Sequence, residues 1–252
     1  MASLSVNLNA VAYLRNRRNM PWPSVIEIAR LALAAGAAGI TVHPRPDERH
    51  IRKTDVFELV DLVRDEWPDR EVNIEGYPAE PFLKLCEVAN PDQVTLVPDD
   101  EQQSTSDHGW DIARHGQMLA EVTERLQNGR MRVSLFIDPN PTLAPLAAEV
   151  GADRVEFYTG PYGDPHADST AELARLVATA EACRRAGLRA ARGGAGLGMN
   201  AGHDLTLDNL PALIKAIPDI DECSIGHALI GDALKYGISD AVRRYIQVLR
   251  AA

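Results

Sequence analysis

Short apolar runs alternate along this chain with longer stretches whose apolar residues recur at helical spacing. The runs LSVNL (4–8), GITVH (39–43), EVNIE (71–75), QVTLV (93–97), RVSLFI (132–137), RVEFY (154–158), GLGMN (196–200) and ECSIG (222–226) have the length and composition of strands. Between them, PSVIEIARLALAAG (23–36) repeats apolar residues at helical spacing and stops at Gly36, and TDVFELVDLVRDEW (54–67) opens on a Thr N-cap. PAEPFLKLCEVAN, MLAEVTERLQNG, TLAPLAAEVGA, DSTAELARLVATAEACRRAG, LTLDNLPALIKAI and DALKYGISDAVRRYIQVL follow the same rule. The strand runs read as apolar with few alternating polar residues, as expected of strands covered on both faces. Roughly eight strand–helix units in 252 residues predict a closed (β/α)8 TIM barrel, one domain over 1–252, rather than an open sheet.

Composition adds limits. The chain is 45% hydrophobic and 25% charged, ordinary for a globular protein. Its net charge of -10 argues against nucleic-acid binding, which calls for a basic face, but leaves room for a local basic pocket. Cys86, Cys183 and Cys223 show no paired spacing and sit in apolar stretches, as buried thiols in a reducing compartment do. No apolar run is long enough to span a bilayer, and the first residues lack the basic-then-apolar order of a secretory signal. A cytoplasmic protein without a membrane partner is expected.

In a barrel of this type the chemistry collects at the C-terminal ends of the strands. Strand one ends at Asn7, strand two at His43 with Arg45 and His50 beyond it, and strand three at Glu75. Strand four leads into Thr105, strand six carries Glu156 and Thr159, strand seven leads to Asn200 and His203, and strand eight ends at Gly226-His227. The arginine-bearing loops RNRRN (15–19), which includes Arg18, and HPRPDERHIR (43–52) offer planar donor forks suited to phosphate. Any one of these arginines also fits a plain surface charge. Gly226 precedes a helix whose first N–H groups suit a phosphate, and NAGHDL (200–205) would complete that cradle. His43, Glu75 and His203 are the groups suited to proton transfer, whereas His115 and His166 lie away from strand ends and read as structural. The polar loop DDEQQSTSDHGWD (99–111) is long for a compact domain, as lids and binding loops are. None of Lys53, Lys84, Lys215 and Lys235 lies in or at the end of a strand run, which disfavours Schiff-base chemistry. No Cys/His set has zinc spacing, and GGAGLG (193–198) lacks the dinucleotide spacing, so neither metal nor cofactor is expected.

The ordered segments VNLNAVAYLRNRR, GITVHPRPDERHIR, NIEGYP, QVTLVPD, SLFIDP, VEFYTGPY, NAGHDL and SIGHALIGDAL resemble those of the pyridoxine 5'-phosphate synthase family, over about residues 4–248. The resemblance implies a (β/α)8 barrel with extra helices, found as a homo-oligomer, typically an octamer. It implies condensation of 3-amino-2-oxopropyl phosphate with 1-deoxy-D-xylulose 5-phosphate to pyridoxine 5'-phosphate, phosphate and water. The substrate brings its own amine, so no enzyme lysine is needed. By position, the resemblance makes His43 and Glu75 proton acceptors, His203 a proton donor, and Glu156 the carboxylate that stabilises the transition state. It assigns Asn7, Arg18, Asp204, Gly226 and His227 to the amino-ketone phosphate, Arg45, His50 and Thr105 to deoxyxylulose phosphate, and a closing role to loop 99–111. Two departures stand out: Asn9-Ala10 replaces an Asp-His pair common in the family, and Asp204 replaces a frequent glycine. Two other readings stay open, another metal-free phosphosugar enzyme of isomerase type and a non-catalytic phosphosugar-binding barrel.

Overall fold

The computed structural model describes residues 1–18, 20–99, 106–187 and 197–251. Its strands are β1 (Ser3–Asn7), β2 (Gly39–Val42), β3 (Glu71–Gly76), β4 (Gln93–Leu96), β5 (Arg132–Ile137), β6 (Arg154–Tyr158), β7 (Gly198–Gly202) and β8 (Glu222–Ile225). They pair in parallel in chain order and β8 closes on β1, giving the expected barrel. Around it run α1 (Asn9–Asn16), α2 (Val25–Ala34), α3 (Lys53–Glu66), α4 (Glu80–Ala89), α5 (Ile112–Asn128), α6 (Leu143–Glu149), α7 (Gly160–Gly163), α8 (Ser169–Gly187), α9 (Leu210–Ala216), α10 (His227–Tyr236) and α11 (Ile238–Arg250). None of the described helices is long and apolar enough to cross a membrane. The three cysteines are buried and unpaired, as their sequence context predicts.

The strands are not the near-continuous apolar runs expected of them. They alternate strictly: Leu4-Ser5-Val6, Ile40-Thr41-Val42, Val72-Asn73-Ile74, Val94-Thr95-Leu96, Val133-Ser134-Leu135, Met199-Asn200-Ala201. The apolar set lies buried in the core beneath the helices, each full-sized side chain contributing about 1.5–3 kcal/mol. The polar set shares the opposite face, where (β/α)8 barrels usually stack Val, Ile and Leu. Ser5 and Thr41 hydroxyls meet at 2.6 Å, Asn73 Nδ2 donates to Thr41 at 3.4 Å, and Thr95 donates to Asn73 at 3.0 Å. Nearer the N-terminal ends of the strands, Arg132 donates to Gln93 and Glu71, and Asn200 links Arg154, Gln93 and Glu222. Each partner is supplied by a different strand, so the lumen is a cross-strand polar network.

Other expectations shift locally. β7 begins two residues later than the 196–200 run, which moves Asn200 from the rim into the lumen; the glycines there carry no side chains from which a period could be read. Thr54 is not the cap of α3. The helix starts at Lys53, and the Asp55 carboxylate reaches back to accept the Arg52 N–H at 2.8 Å. The last helical stretch breaks into α10 and α11 at Gly237, whose φ of 78° turns the chain. RNRRN is not a loop at its start, since α1 runs through Asn16.

Arg15 departs furthest from its sequence reading. Its guanidinium binds Asp55 bidentately at 2.6 and 2.8 Å and also donates to the His50 carbonyl at 3.1 Å. Both side chains are only 8% exposed. The pair therefore ties α1 and α3 to the loop after β2 rather than holding a ligand. Arg15→Met leaves Asp55 buried without its counter-charge and is expected to cost about 3–5 kcal/mol. Chemical denaturation would measure this. Adding Asp55→Leu should recover most of the loss, and a loss from Arg15→Met below about 1 kcal/mol would show the pair to be dispensable.

Candidate active site

A cavity of about 480 Å³ opens at the C-terminal end of the barrel. β1 delivers Asn7 to it, β3 Glu75, β6 Glu156 and Tyr158, while β2 and β7 deliver His43 and His203 one residue past their ends. Arg45 and His50 enter from the loop after β2, Ser106 from the segment after β4, and Gly226-His227 from the start of α10. Strand parity explains why these residues converge. Asn7, Glu75, Glu156 and Ser224 continue the lumen-facing series upward, so the cavity floor is the top layer of the polar barrel.

The β1–α1 turn is fastened to this floor. Asn7 Oδ1 accepts the Asn9 N–H at 3.0 Å, and Asn7 Nδ2 donates to Glu75 Oε2 at 3.4 Å. Asn9 Oδ1 accepts the His43 N–H at 2.9 Å, so Asn9 holds the proposed base through its backbone. Glu156 fits only because β7 carries Gly202 beside it: a Cβ there would stand 2.3 Å from Glu156 Oε1. Beyond Gly202 the backbone enters the left-handed region twice, at His203 (φ 80°) and Asp204 (φ 54°). That conformation costs an L-residue about 1–2 kcal/mol, which Asp tolerates better than most and glycine avoids.

Burial sets the protonation of the site. It drives His43 well below its usual range, with Arg45 and His50 adding to the effect. It lowers His203 too. Burial and Arg45 bring His50 down to about 4. Its Nδ1 accepts the Ile51 N–H at 2.9 Å, leaving Nε2 as the proton-bearing nitrogen. The carboxyls move the other way. Burial, with Asp99 and Glu222 nearby, raises Glu75 to about 8, and burial next to Glu75 raises Glu156 well above the carboxylate range. His43 Nδ1 and Glu75 Oε2 lie 3.9 Å apart. At neutral pH this is a contact between neutral groups, because burial outweighs their mutual attraction.

Arg45 has a second partner that its motif does not reveal. Nη2 donates to Asp99 Oδ2 at 2.6 Å, and Ser106 Oγ donates to the same oxygen at 2.6 Å. Among the described residues, Arg45 Nε and Asp99 Oδ1 are buried without hydrogen-bond partners. A bound anion would satisfy the first of these.

The cavity thus gathers Asn7, His43, Arg45, His50, Glu75 and Glu156 with His203, Asp204, Gly226 and His227. Arg18 is exposed and does not line it. Thr105, and residues 100–105 of the loop, lie outside the described residues. His115 sits on α5 with its ring against Trp110, and all four lysines are on helices. Sequence reasoning missed Tyr13, Tyr158, Asp99, Ser106 and Ser224. The lumen parity of β6 and β8 could have found Tyr158 and Ser224; the other three depend on tertiary placement. Among the described residues no group of three His, Cys, Asp or Glu is arranged to hold a metal ion.

Residues 4–251 match the family model described as pyridoxal phosphate biosynthesis protein PdxJ. The chain belongs to the PdxJ family. It is 57% identical to the pyridoxine 5'-phosphate synthase of Brucella anthropi, covering 98% of this chain and 99% of that protein. It is 55% identical to the protein of that name from Mesorhizobium japonicum, over 98% of each chain. Among solved structures, phosphoribosylanthranilate isomerase of Thermotoga maritima aligns with a TM-score of 0.60 at 12% identity, covering 100% of both chains. Thiamine phosphate pyrophosphorylase of Pyrococcus furiosus aligns with a TM-score of 0.60 at 15% identity, over 98% of this chain and 95% of that one. Those two likenesses show the barrel and no more.

A carboxyl raised to about 8 on folding, as Glu75 is, favours the fold at low pH, and that contribution is lost as pH climbs through 8. Glu75→Gln removes the cost of burying the ionised form. Its melting temperature relative to the parent should therefore rise between about pH 5 and about pH 9. A difference that stays flat across this range would mean that Glu75 is ionised throughout.

Proposed function

We propose that this chain is a pyridoxine 5'-phosphate synthase: a single barrel domain, cytoplasmic and homo-oligomeric, an octamer in its full assembly. It joins 3-amino-2-oxopropyl phosphate to 1-deoxy-D-xylulose 5-phosphate and releases pyridoxine 5'-phosphate, phosphate and water. The observation that carries this reading is one cavity in which His43, Glu75, Glu156 and His203 meet Arg45, His50 and the N-terminus of α10. Acid–base groups and anion-binding groups face the same space, as a condensation of two phosphorylated substrates needs.

The roles follow from the protonation states. Neutral His43 takes up a proton without first losing one. Glu75, poised near 8, exchanges protons at neutral pH in either direction and serves as the second acceptor once ionised. His203 is neutral in the empty site. A phosphate dianion bound nearby favours its charged form and so prepares it as the donor. Glu156, held at the cavity floor and protonated in the empty site, is placed to ionise in answer to positive charge that develops on the condensing amine. Arg45 and His50 receive the deoxyxylulose phosphate together with Thr105. Asn7, Asp204, Gly226 and His227 receive the amino-ketone phosphate, Gly226 and His227 with the free N–H groups that begin α10. Arg18 joins that second set, and loop 99–111 covers the site when both substrates are bound.

Turnover of the two substrates, followed by chromatography of pyridoxine 5'-phosphate and assay of phosphate, tests the reading. Product should require both substrates and appear with equal phosphate. Glu75→Gln and His203→Ala should each lower kcat by ~10²–10⁴-fold with the fold retained. A folded wild-type protein that turns over one phosphosugar alone, or none, would return the isomerase-type and binding-only readings to the front.

A further inference from the structure

The two left-handed residues that carry the proposed proton donor are held from an adjacent strand end. Thr159 follows β6 and is fully buried. Its N–H donates to the Gly202 carbonyl at 2.9 Å. Its hydroxyl lies 2.5 Å from both the Gly202 and the His203 carbonyl oxygens, the two peptides that set the backbone of His203. One residue on, Asn209 Nδ2 donates to the Asp204 carbonyl at 2.9 Å. α7 presses on the same turn, with Gly163 so close that a Cβ would stand 2.6 Å from the Asp204 carbonyl oxygen. The imidazole of His203 is in turn bracketed by Phe136 and Tyr158, at ring-centroid distances of 5.3 and 5.4 Å.

We infer that Thr159 is a positioning residue for the reaction: its hydroxyl, shared between the Gly202 and His203 carbonyls, holds His203 in the left-handed conformation that aims the imidazole into the cavity. An unfavoured backbone conformation persists only where its surroundings over-determine it. Thr159 is the one side chain described here that binds the carbonyls on both sides of the His203 α-carbon. Without the hydroxyl, those carbonyls lose their buried donor and the turn relaxes toward ordinary angles. The imidazole then swings away from its two aromatic neighbours. Deoxyxylulose phosphate is received by Arg45 and His50, away from this turn, whereas Asp204 in the turn faces the amino-ketone phosphate; the loss should fall on the chemical step and leave binding of deoxyxylulose phosphate unchanged.

The inference rests on the synthase reading, and the wild-type assay run in parallel separates the two. Thr159→Val keeps the shape and removes the donor; kcat is expected to fall on the order of 10²-fold with the KM for 1-deoxy-D-xylulose 5-phosphate within about threefold of wild type. Thr159→Ser restores the hydroxyl and should recover kcat to within about threefold. If the Val variant melts below the assay temperature, Thr159→Cys decides, since it keeps the size with only a weak donor; its kcat should fall at least about fivefold. Wild-type kcat in the Val or Cys variant, or a Ser variant no better than Val, overturns the inference. A crystal structure of the Val variant reads the same point without activity. The φ of His203 should leave the left-handed region, and an unchanged turn would refute the role even if the wild-type protein proved to catalyse another reaction.

Discussion

The lumen of this barrel is polar for most of its length, Phe136 beside His203 being the apolar exception, and a polar group without water must find a partner or forfeit stability. That demand organises the molecule. Ser5, Thr41, Asn73 and Thr95 satisfy one another across successive strands, and Gln93, Asn200 and Glu222 do so across the lumen nearer the N-terminal ends of the strands. A network of this kind fixes strand register more sharply than apolar packing, because a shift of one residue would bury every one of these groups under the helices. The register in turn decides which residues reach the top layer. Asn7, Glu75 and Glu156 stand in the cavity floor because they occupy the parity that the network below them enforces.

The same burial that the network tolerates sets the chemistry of the floor. Glu75, Glu156 and Glu222 face one low-dielectric space, so none ionises as an isolated carboxyl would. Two of the carboxyls lie where the substrates would arrive. The third is answered by the basic end of the lumen, where Arg154 and Arg132 lower it against its burial. Charge is thus compensated at the N-terminal end of the barrel, whereas the carboxyls at the C-terminal end stay protonated at neutral pH, with protons to exchange where a condensation would use them.

Much of this was legible in the chain. Strand positions followed from β-branched runs bounded by turns, and seven of the eight fell within one residue at either end. β7 slipped because GLGMN contains two glycines and hides its period. The polar lumen was written in the sequence as period-two alternation, yet the expectation of two covered faces concealed it. Residues at strand ends were found because topology alone places them together. Arg15 and Arg18 could not be told apart in RNRRN: only the fold brings Asp55 to Arg15, and that partner lies 40 residues away. Asp99 escaped for the same reason, as did the bond from Asn9 to the backbone of His43.

Asn9 shows how a departure from a family pattern can leave the geometry whole. The side-chain oxygen that accepts the His43 N–H is one that Asn and Asp share, so the β1–α1 turn can be pinned to β2 by either. What changes is charge. An aspartate there would face buried His43 and favour its protonated form, whereas the neutral amide of Asn9 leaves His43 to be governed by burial and Arg45. Ala10, next along α1, adds no titrating group to the cavity it lines. The pair therefore keeps His43 unprotonated and open to accept a proton, at the expense of any contact that a charged neighbour would make with the substrate.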